Sequence, residues 1–157
     1  MVRQFAEYAV SKLPAYFFSV AASSTGKYHP SYALGEGGLA RHTKAAAAIA
    51  KDLLGLEMYG RFTQDEKDIM LTALILHDGI KHGENHSQYV LATHPMDCIA
   101  WLKKLEHQGY LDENQFGLLC SCIASHMGQW NTDYKTKREI MPKPKTAMEK
   151  FVHQCDY

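Results

Sequence analysis

The sequence has neither the apolar runs that bind a protein to a membrane nor the excess positive charge that drives non-specific binding to nucleic acid. Its 17 Lys and Arg residues are balanced by 17 Asp and Glu residues, so the net charge is zero. Strong non-specific attraction to nucleic acid or anionic lipid requires an excess of positive charge. No apolar run reaches the roughly 18 residues that span a bilayer, and the N-terminus lacks the apolar stretch of a signal peptide. We therefore expect a cytoplasmic protein with no membrane partner and no stable nucleic-acid complex.

Cysteine and the common nucleophile motifs are also scarce. Four cysteines in 157 residues do not make a disulfide framework. Cys120 and Cys122 are two residues apart and would point to different faces of a helix, which suits zinc poorly. The sequence has neither a Gly-x-Ser-x-Gly nucleophile elbow nor a P-loop lysine. These absences argue against a serine hydrolase and against a P-loop nucleotide site.

The remaining pattern predicts helices. A length of 157 residues with 46% apolar residues predicts one domain, residues 1–157, with its own core. Capping boxes at Thr63 and Thr146 mark two helix starts, and no strand alternation is evident. We predict an all-α domain of six or seven helices, with loops at 23–38 and 135–145. The predicted helices cover about 5–13, 16–22, 39–54, 63–76, 93–108, 112–128 and 146–157.

The dyad His77-Asp78 is the most informative feature, because it closes the apolar run from Ile69 to Leu76. A carboxylate at the end of a buried helix needs a partner or a metal to offset its loss of hydration. Imidazoles and carboxylates are ligands of divalent transition metals. Other residues of these types stand at the edges of predicted helices, far apart in sequence, and they can meet only if each helix directs one end at a common centre. They are His42, His94, His126 and Asp156.

Five segments resemble the HD-domain metal-dependent phosphohydrolase superfamily. The order His, His-Asp, His, His, Asp is similar to its dinuclear branch, and the nearest group is the HD domain of bacterial 3′–5′ exoribonucleases. The resemblance extends from about Gly37 to Asp156. The segments are Gly37-Gly38-Leu39-Ala40-Arg41-His42-Thr43, Leu76-His77-Asp78-Gly79-Ile80-Lys81, Thr93-His94-Pro95, Ser125-His126-Met127-Gly128 and His153-Gln154-Cys155-Asp156.

The resemblance implies two divalent transition metal ions, Fe or Mn first and Co, Ni or Zn as alternatives. Asp78 would bridge the two ions, and Lys81 would contact a substrate phosphate; these two are the expected catalytic residues. Many members read His-Asp-Ile-Gly-Lys, whereas this chain has Gly79 and Ile80 in the opposite order. The first ion would be held by His42, His77, Asp78 and Asp156, and the second by Asp78, His94 and His126.

Four residues are candidates for substrate binding, each with a plainer alternative. Arg41 and Lys81 could reach a phosphate, although Arg41 is equally consistent with an exposed helix residue. His29 could face the site or belong to an ordinary loop, and Trp130 could stack on a base or simply pack. His153 is expected beside the metal ligands rather than among them. Three further histidines without a pattern are expected at the surface: His82, His86 and His107.

Together these residues predict a metal-dependent phosphohydrolase or phosphodiesterase that cleaves a phosphate ester or anhydride of a nucleotide. The expected partner is a small nucleotide or a short oligonucleotide. Two alternatives remain open. The basic segment Lys135-Thr136-Lys137-Arg138 would suit a 3′–5′ exonuclease acting on short RNA or DNA. A metal-bearing nucleotide-binding protein with little turnover would need the ligands but not the chemistry.

Overall fold

The computed structural model describes residues 1–26 and 29–157, and this part of the chain is helical. The only β pairing within these residues is an isolated bridge between Thr132 and Glu139. No helix among them is both long and apolar enough to cross a bilayer. The prediction of an all-α fold with six or seven helices is confirmed. The six α-helices are α1 (Val2–Ser11), α2 (Gly38–Leu54), α3 (Gln64–Leu76), α4 (His94–Leu102), α5 (Glu113–Ser125) and α6 (Ala147–Asp156).

Helix α3 lies at the centre of the molecule and packs against α1, α2, α5 and α6, while α4 packs against α5. Its side chains are buried on several sides of the helix, including Ile69, Met70, Leu74 and Leu76. A helix surrounded in this way is apolar around most of its circumference, which is the pattern that the 69–76 run displays. The end of α3 therefore places His77 and Asp78 deep inside the protein, at most 1% exposed.

Three helices begin with reciprocal capping boxes. At Thr63, Asp112 and Thr146 the capping side chain accepts a hydrogen bond from the backbone N–H three residues later, and that residue's side chain accepts one in return. The two boxes predicted at Thr63 and Thr146 are confirmed. Because each box involves only four consecutive residues, these starts are encoded locally.

Two predicted helices differ from the structure. The segment 16–22 forms only a 3-10 turn, Ala15–Phe18, because the backbone N–H of Ala22 donates to the carbonyl of Ala33 instead of continuing the helix. The helix predicted to reach residue 108 ends at Leu102, where bonds from Lys104 to Trp101 and from Leu105 to Leu102 tighten the last turn.

The glycine pair before α2 has a steric role. A Cβ on Gly38 would lie 2.1 Å from the carbonyl oxygen of Ala33, so only glycine allows this close approach. The contact holds the long loop, which contains a 3-10 turn at Ser31–Ala33, against the first turn of α2. The loop thereby comes to lie beside His42.

Candidate metal centre

Five helices direct predicted ligands at one centre. His77 and Asp78 follow the last residue of α3, His126 follows α5, and Asp156 is the last residue of α6. His94 is the first residue of α4, and His42 lies in the second turn of α2. Five of the six side chains are buried, and Asp156 is partly exposed. The structure therefore brings together all six residues for which the sequence predicted metal binding.

Backbone carbonyls orient three of the rings. In each, Nδ1 lies 2.7 Å from the backbone carbonyl oxygen three residues earlier. Since a carbonyl can only accept, Nδ1 carries the hydrogen, and Nε2 of the neutral ring keeps its lone pair. This is the arrangement in which protein histidines usually hold a metal. The three pairs are His77 with Leu74, His94 with Leu91 and His126 with Ile123.

One side of the centre is built around Asp156. Its Oδ1 lies 2.8 Å from His42 Nε2 and 3.0 Å from His77 Nε2. His77 Nε2 is also 3.3 Å from Asp78 Oδ2, and His42 Nε2 is 4.0 Å from the same oxygen. Thus Asp78 reaches this group through one of its two carboxylate oxygens.

The other carboxylate oxygen of Asp78 faces the second group. Its Oδ1 lies 3.0 Å from His94 Nε2 and 3.8 Å from His126 Nε2. The two ring nitrogens are 3.2 Å from each other. Ligand atoms on one ion, each roughly 2 Å from it, lie about 3 Å apart, so this spacing is that of two imidazoles sharing a cation.

Two sets of described residues have ligand atoms close enough to hold a metal ion, within 4.8 Å of one another. One set is His42, His77 and Asp156; the other is His77, Asp78 and His126. His77 belongs to both sets, whereas the sequence assigned it to the first ion alone. His94 lies beside the second set through its contacts with Asp78 and His126.

Buried polar atoms at the centre support a cation. Among the described residues, His77 Nε2 and Asp78 Oδ1 are buried without an aligned hydrogen bond. Buried polar atoms are nearly always satisfied by a hydrogen bond, water or an ion. His77 Nε2 faces two carboxylates, and a lone pair beside a carboxylate oxygen is repulsive unless a cation or an added proton lies between them. The residues present therefore fit a metal ion.

Without a metal, protons carry the compensating charge. Burial disfavours the charged form of His77, yet Asp78 and Asp156 overcome this effect and raise its pKa to about 10. Burial likewise opposes ionisation of Asp78, but Lys81 and His77 hold the pKa of that carboxyl well below its ordinary range. In His126 burial dominates, together with repulsion from His77, and lowers the pKa to about 3. The carboxylates of Asp78 and Asp156 thus attract positive charge to the centre.

The dipoles of three helices act in the same direction, whereas α4 presents its N-terminal end, at His94, and opposes them. Helices α3, α5 and α6 all present their C-terminal ends to the site. A helix C-terminus carries a partial negative charge and stabilises nearby cations. This arrangement adds to the negative potential of Asp78 and Asp156, and favours occupation by a divalent cation.

The predicted catalytic lysine lies within the centre. Lys81 is 7% exposed, and its Nζ donates to Asp78 Oδ2. Ile80 is buried at 1% exposure, and a Cβ on Gly79 would meet Leu13 at 2.6 Å. The turn after the dyad is therefore packed against Leu13, just beyond the end of α1, and Lys81 is directed back to the site.

The other substrate-binding candidates are distributed around the centre. The ring of His29 lies edge-on to His42, with centroids 4.8 Å apart, and its pKa is lowered to about 4 by burial and by Lys81 and His42. Arg41 donates to the carbonyls of Tyr32, Leu34 and Glu36 and so braces the loop that carries His29. Trp130 is 56% exposed, four residues after His126.

Two further residues support the ligands. His153 Nδ1 donates to the backbone oxygen of His126, as expected for a residue beside the ligands. Gly128 has a φ of 57°, and a Cβ there would lie 2.2 Å from the His153 ring. The expectation that His82 lies at the surface is wrong. His82 is 6% exposed, and its backbone N–H donates to the hydroxyl of Tyr16.

Tyr16 is a residue that sequence reasoning missed. Its hydroxyl accepts from His82 and donates to the carbonyl of Gly83, which anchors the turn after Asp78 to the segment following α1. Nothing in the apolar stretch around Tyr16 distinguished it from an ordinary core residue. Two other histidines were expected at the surface. His86 is exposed, whereas His107 is partly buried and stacks on Phe116.

Comparison with known proteins gives no relative. No family model, no curated protein and no solved structure matches the chain. The resemblance to HD-domain phosphohydrolases therefore stays a prediction that rests on the order of the ligands in the sequence.

Proposed function

We propose that the protein is a metal-dependent phosphohydrolase of the HD type that cleaves a phosphate ester or anhydride of a nucleotide. One observation carries the proposal: the two oxygens of Asp78 face two different groups of imidazole nitrogens. A carboxylate in that position can bridge two ions. Two divalent ions lower the pKa of water and stabilise charge on both the attacking and the leaving oxygen of a phosphoryl group.

The side chains around the centre suit a phosphorylated substrate. Phosphoryl transfer requires positioning and charge stabilisation more than a protein nucleophile. Lys81 Nζ lies at Asp78 and offers a positive charge to a phosphate oxygen. His29 lies next to His42 and has a ring nitrogen, Nδ1, with no partner among the described residues.

Metal content and a broad hydrolysis screen test the proposal. We expect protein purified without chelator to contain up to two transition metal ions per chain. The screen should include bis(p-nitrophenyl) phosphate, nucleoside mono-, di- and triphosphates, and short oligonucleotides. Metal without turnover would instead support the nucleotide-binding alternative, and failure to bind any metal on reconstitution would overturn the site.

The variant Asp78→Ala tests the bridge directly. Removing this carboxylate takes away the anion shared by both groups, so we expect loss of metal and a fall in hydrolysis by orders of magnitude. Asp52→Ala is the matched control, because Asp52 is an exposed carboxylate on α2 and should leave both properties unchanged. Wild-type turnover by Asp78→Ala with metal bound would show that the bridge is assigned wrongly.

A further inference from the structure

The segment between α5 and α6, residues 130–145, has an excess of positive charge. It holds five basic residues and two acidic ones in a chain whose net charge is zero. Both acidic residues are engaged within the segment. Asp133 Oδ1 accepts the backbone N–H groups of Lys135 and Thr136, and Glu139 Oε1 lies 3.2 Å from Lys143 Nζ. With five basic and two acidic residues, the segment nevertheless keeps a net positive charge of three.

This segment is an ordered hairpin. Thr132 and Glu139 form an antiparallel bridge, and the backbone N–H of Ile140 donates to the carbonyl of Asn131. The amide of Asn131, which is 1% exposed, donates to the carbonyl of Met141 at 2.8 Å. A surface fixed in this way loses little conformational freedom when a partner binds.

The hairpin presents aromatic rings together with the charges. Trp130 is 56% exposed and Tyr134 is 84% exposed, and Lys137 Nζ lies 4.5 Å from the Tyr134 ring centroid. The hairpin also follows closely on His126, since the backbone N–H of Trp130 donates to the carbonyl of Met127, the residue after His126. Exposed rings on which bases stack, combined with basic side chains that follow the phosphates, are typical of surfaces that bind single-stranded nucleic acid.

We infer that residues 130–145 bind a single strand of nucleic acid and lead its end into the metal centre. This inference rests on the proposed function and narrows its substrate class from nucleotides in general to oligonucleotides. A phosphodiester strand uses both features of the hairpin, the rings and the cations. An acidic protein surface would be attracted by the basic side chains alone and would leave the exposed rings without a role. With three exposed cations at the tip, binding is transient and depends strongly on salt.

Fluorescence anisotropy with a labelled 12-nucleotide oligo-dT tests the binding step. Phosphorothioate linkages keep the probe intact during the titration. The variant Lys135→Ala/Lys137→Ala/Arg138→Ala should reduce the slope of log affinity against log salt by about 2, since each phosphate contact on a single strand contributes roughly 0.7. Trp130→Ala should weaken binding by about tenfold, in the range of one lost base stack, and Trp130→Phe should restore most of it.

The matched control removes the same charge elsewhere. Lys51, Arg61 and Lys103 are exposed and lie outside the hairpin, so Lys51→Ala/Arg61→Ala/Lys103→Ala should bind the probe like wild type. Equal weakening in the control, or no binding by wild type, would overturn the inference. Binding to phosphatidylserine vesicles with the same residue dependence, without binding to the oligonucleotide, would also overturn it and assign the hairpin to a membrane surface.

Turnover separates this inference from the proposed function. The ratio of kcat/KM for unmodified oligo-dT to kcat/KM for bis(p-nitrophenyl) phosphate should fall at least tenfold in the triple hairpin variant and stay constant in the control. Hydrolysis of the small diester with an unchanged ratio would support the metal site and overturn the role of the hairpin. Hairpin-dependent binding with no hydrolysis of either substrate would support the role of the hairpin in binding and overturn the proposed function.

Discussion

The direction of a lone pair decides what each histidine of the centre can bind. His77 and His126 follow the ends of α3 and α5, where the last carbonyls have no partner within the helix. Each ring folds back, donates from Nδ1 to one of these carbonyls, and leaves Nε2 facing the centre. The same hydrogen bond thus completes a helix end and orients a nitrogen that could bind a metal ion. The third ring, His94, uses the loop carbonyl of Leu91.

At this scale we predict that His94→Ala and His126→Ala behave alike and differ from His42→Ala. Both residues face Asp78 Oδ1, so each loss should leave about one ion per chain while hydrolysis falls by orders of magnitude. His42 contacts Asp156 on the other side, and its loss should remove the other ion and lower the melting temperature, since metal binding is coupled to folding. Metal analysis and thermal melting of the three variants, measured together, check this prediction.

The control for this set is His86→Ala, because His86 is exposed and contacts none of the six predicted ligands in the described structure. Full activity of both His94→Ala and His126→Ala would show that the site needs only one ion. The proposed substrate would then shift to a nucleoside 5′-phosphate or triphosphate, as expected for a single-metal enzyme.

At the scale of helices, boundaries that depend on a local sequence motif could be predicted, whereas those that depend on tertiary contacts could not. The starts of α3 and α6 were predictable because a capping box is contained in four consecutive residues. The loss of helix over 16–22 was not predictable, because a distant backbone partner decides it: the N–H of Ala22, which a helix would direct to Phe18, donates to Ala33 instead. The end of α4 was missed although it is set locally, by bonds from Lys104 to Trp101 and from Leu105 to Leu102. Likewise, the order of the six ligands could be read from the sequence, whereas their ring orientations depend on carbonyls left over at helix ends.

The capping box at the start of α6 should contribute measurably to stability. Thr146 Oγ1 accepts the backbone N–H of Glu149, whose carboxylate accepts those of Lys145 and Thr146. We expect Thr146→Ala to lower the free energy of unfolding by about 1 kcal/mol, the usual contribution of such a cap. Thr146→Ser keeps the hydroxyl and should stay close to wild type in urea denaturation. An unchanged midpoint for Thr146→Ala would contradict this role.

At the scale of the whole molecule, the candidate metal centre lies where five helices that are distant in sequence meet. The predicted ligands come from α2, α4 and α6 and from the residues that follow α3 and α5, while the apolar core packs the same helices along their lengths. Ions bound at the centre would act as cross-links between these elements. Because the unfolded chain cannot assemble these ligands, binding free energy adds directly to the free energy of unfolding.

We therefore predict that chelation lowers the melting temperature and that added Mn²⁺, Fe²⁺ or Zn²⁺ restores it in a concentration-dependent manner. One ion at a hundred times its Kd contributes about 2.7 kcal/mol to the free energy of unfolding. Asp78→Ala should lose this dependence, because it removes the carboxylate that faces both groups. Lys81→Met keeps all six predicted ligands and removes only the ammonium beside Asp78, so its melting temperature should still rise with metal. A melting temperature of the wild-type protein that is independent of metal would mean that the core alone holds the helices together, with the buried carboxylates balanced by protons and Lys81.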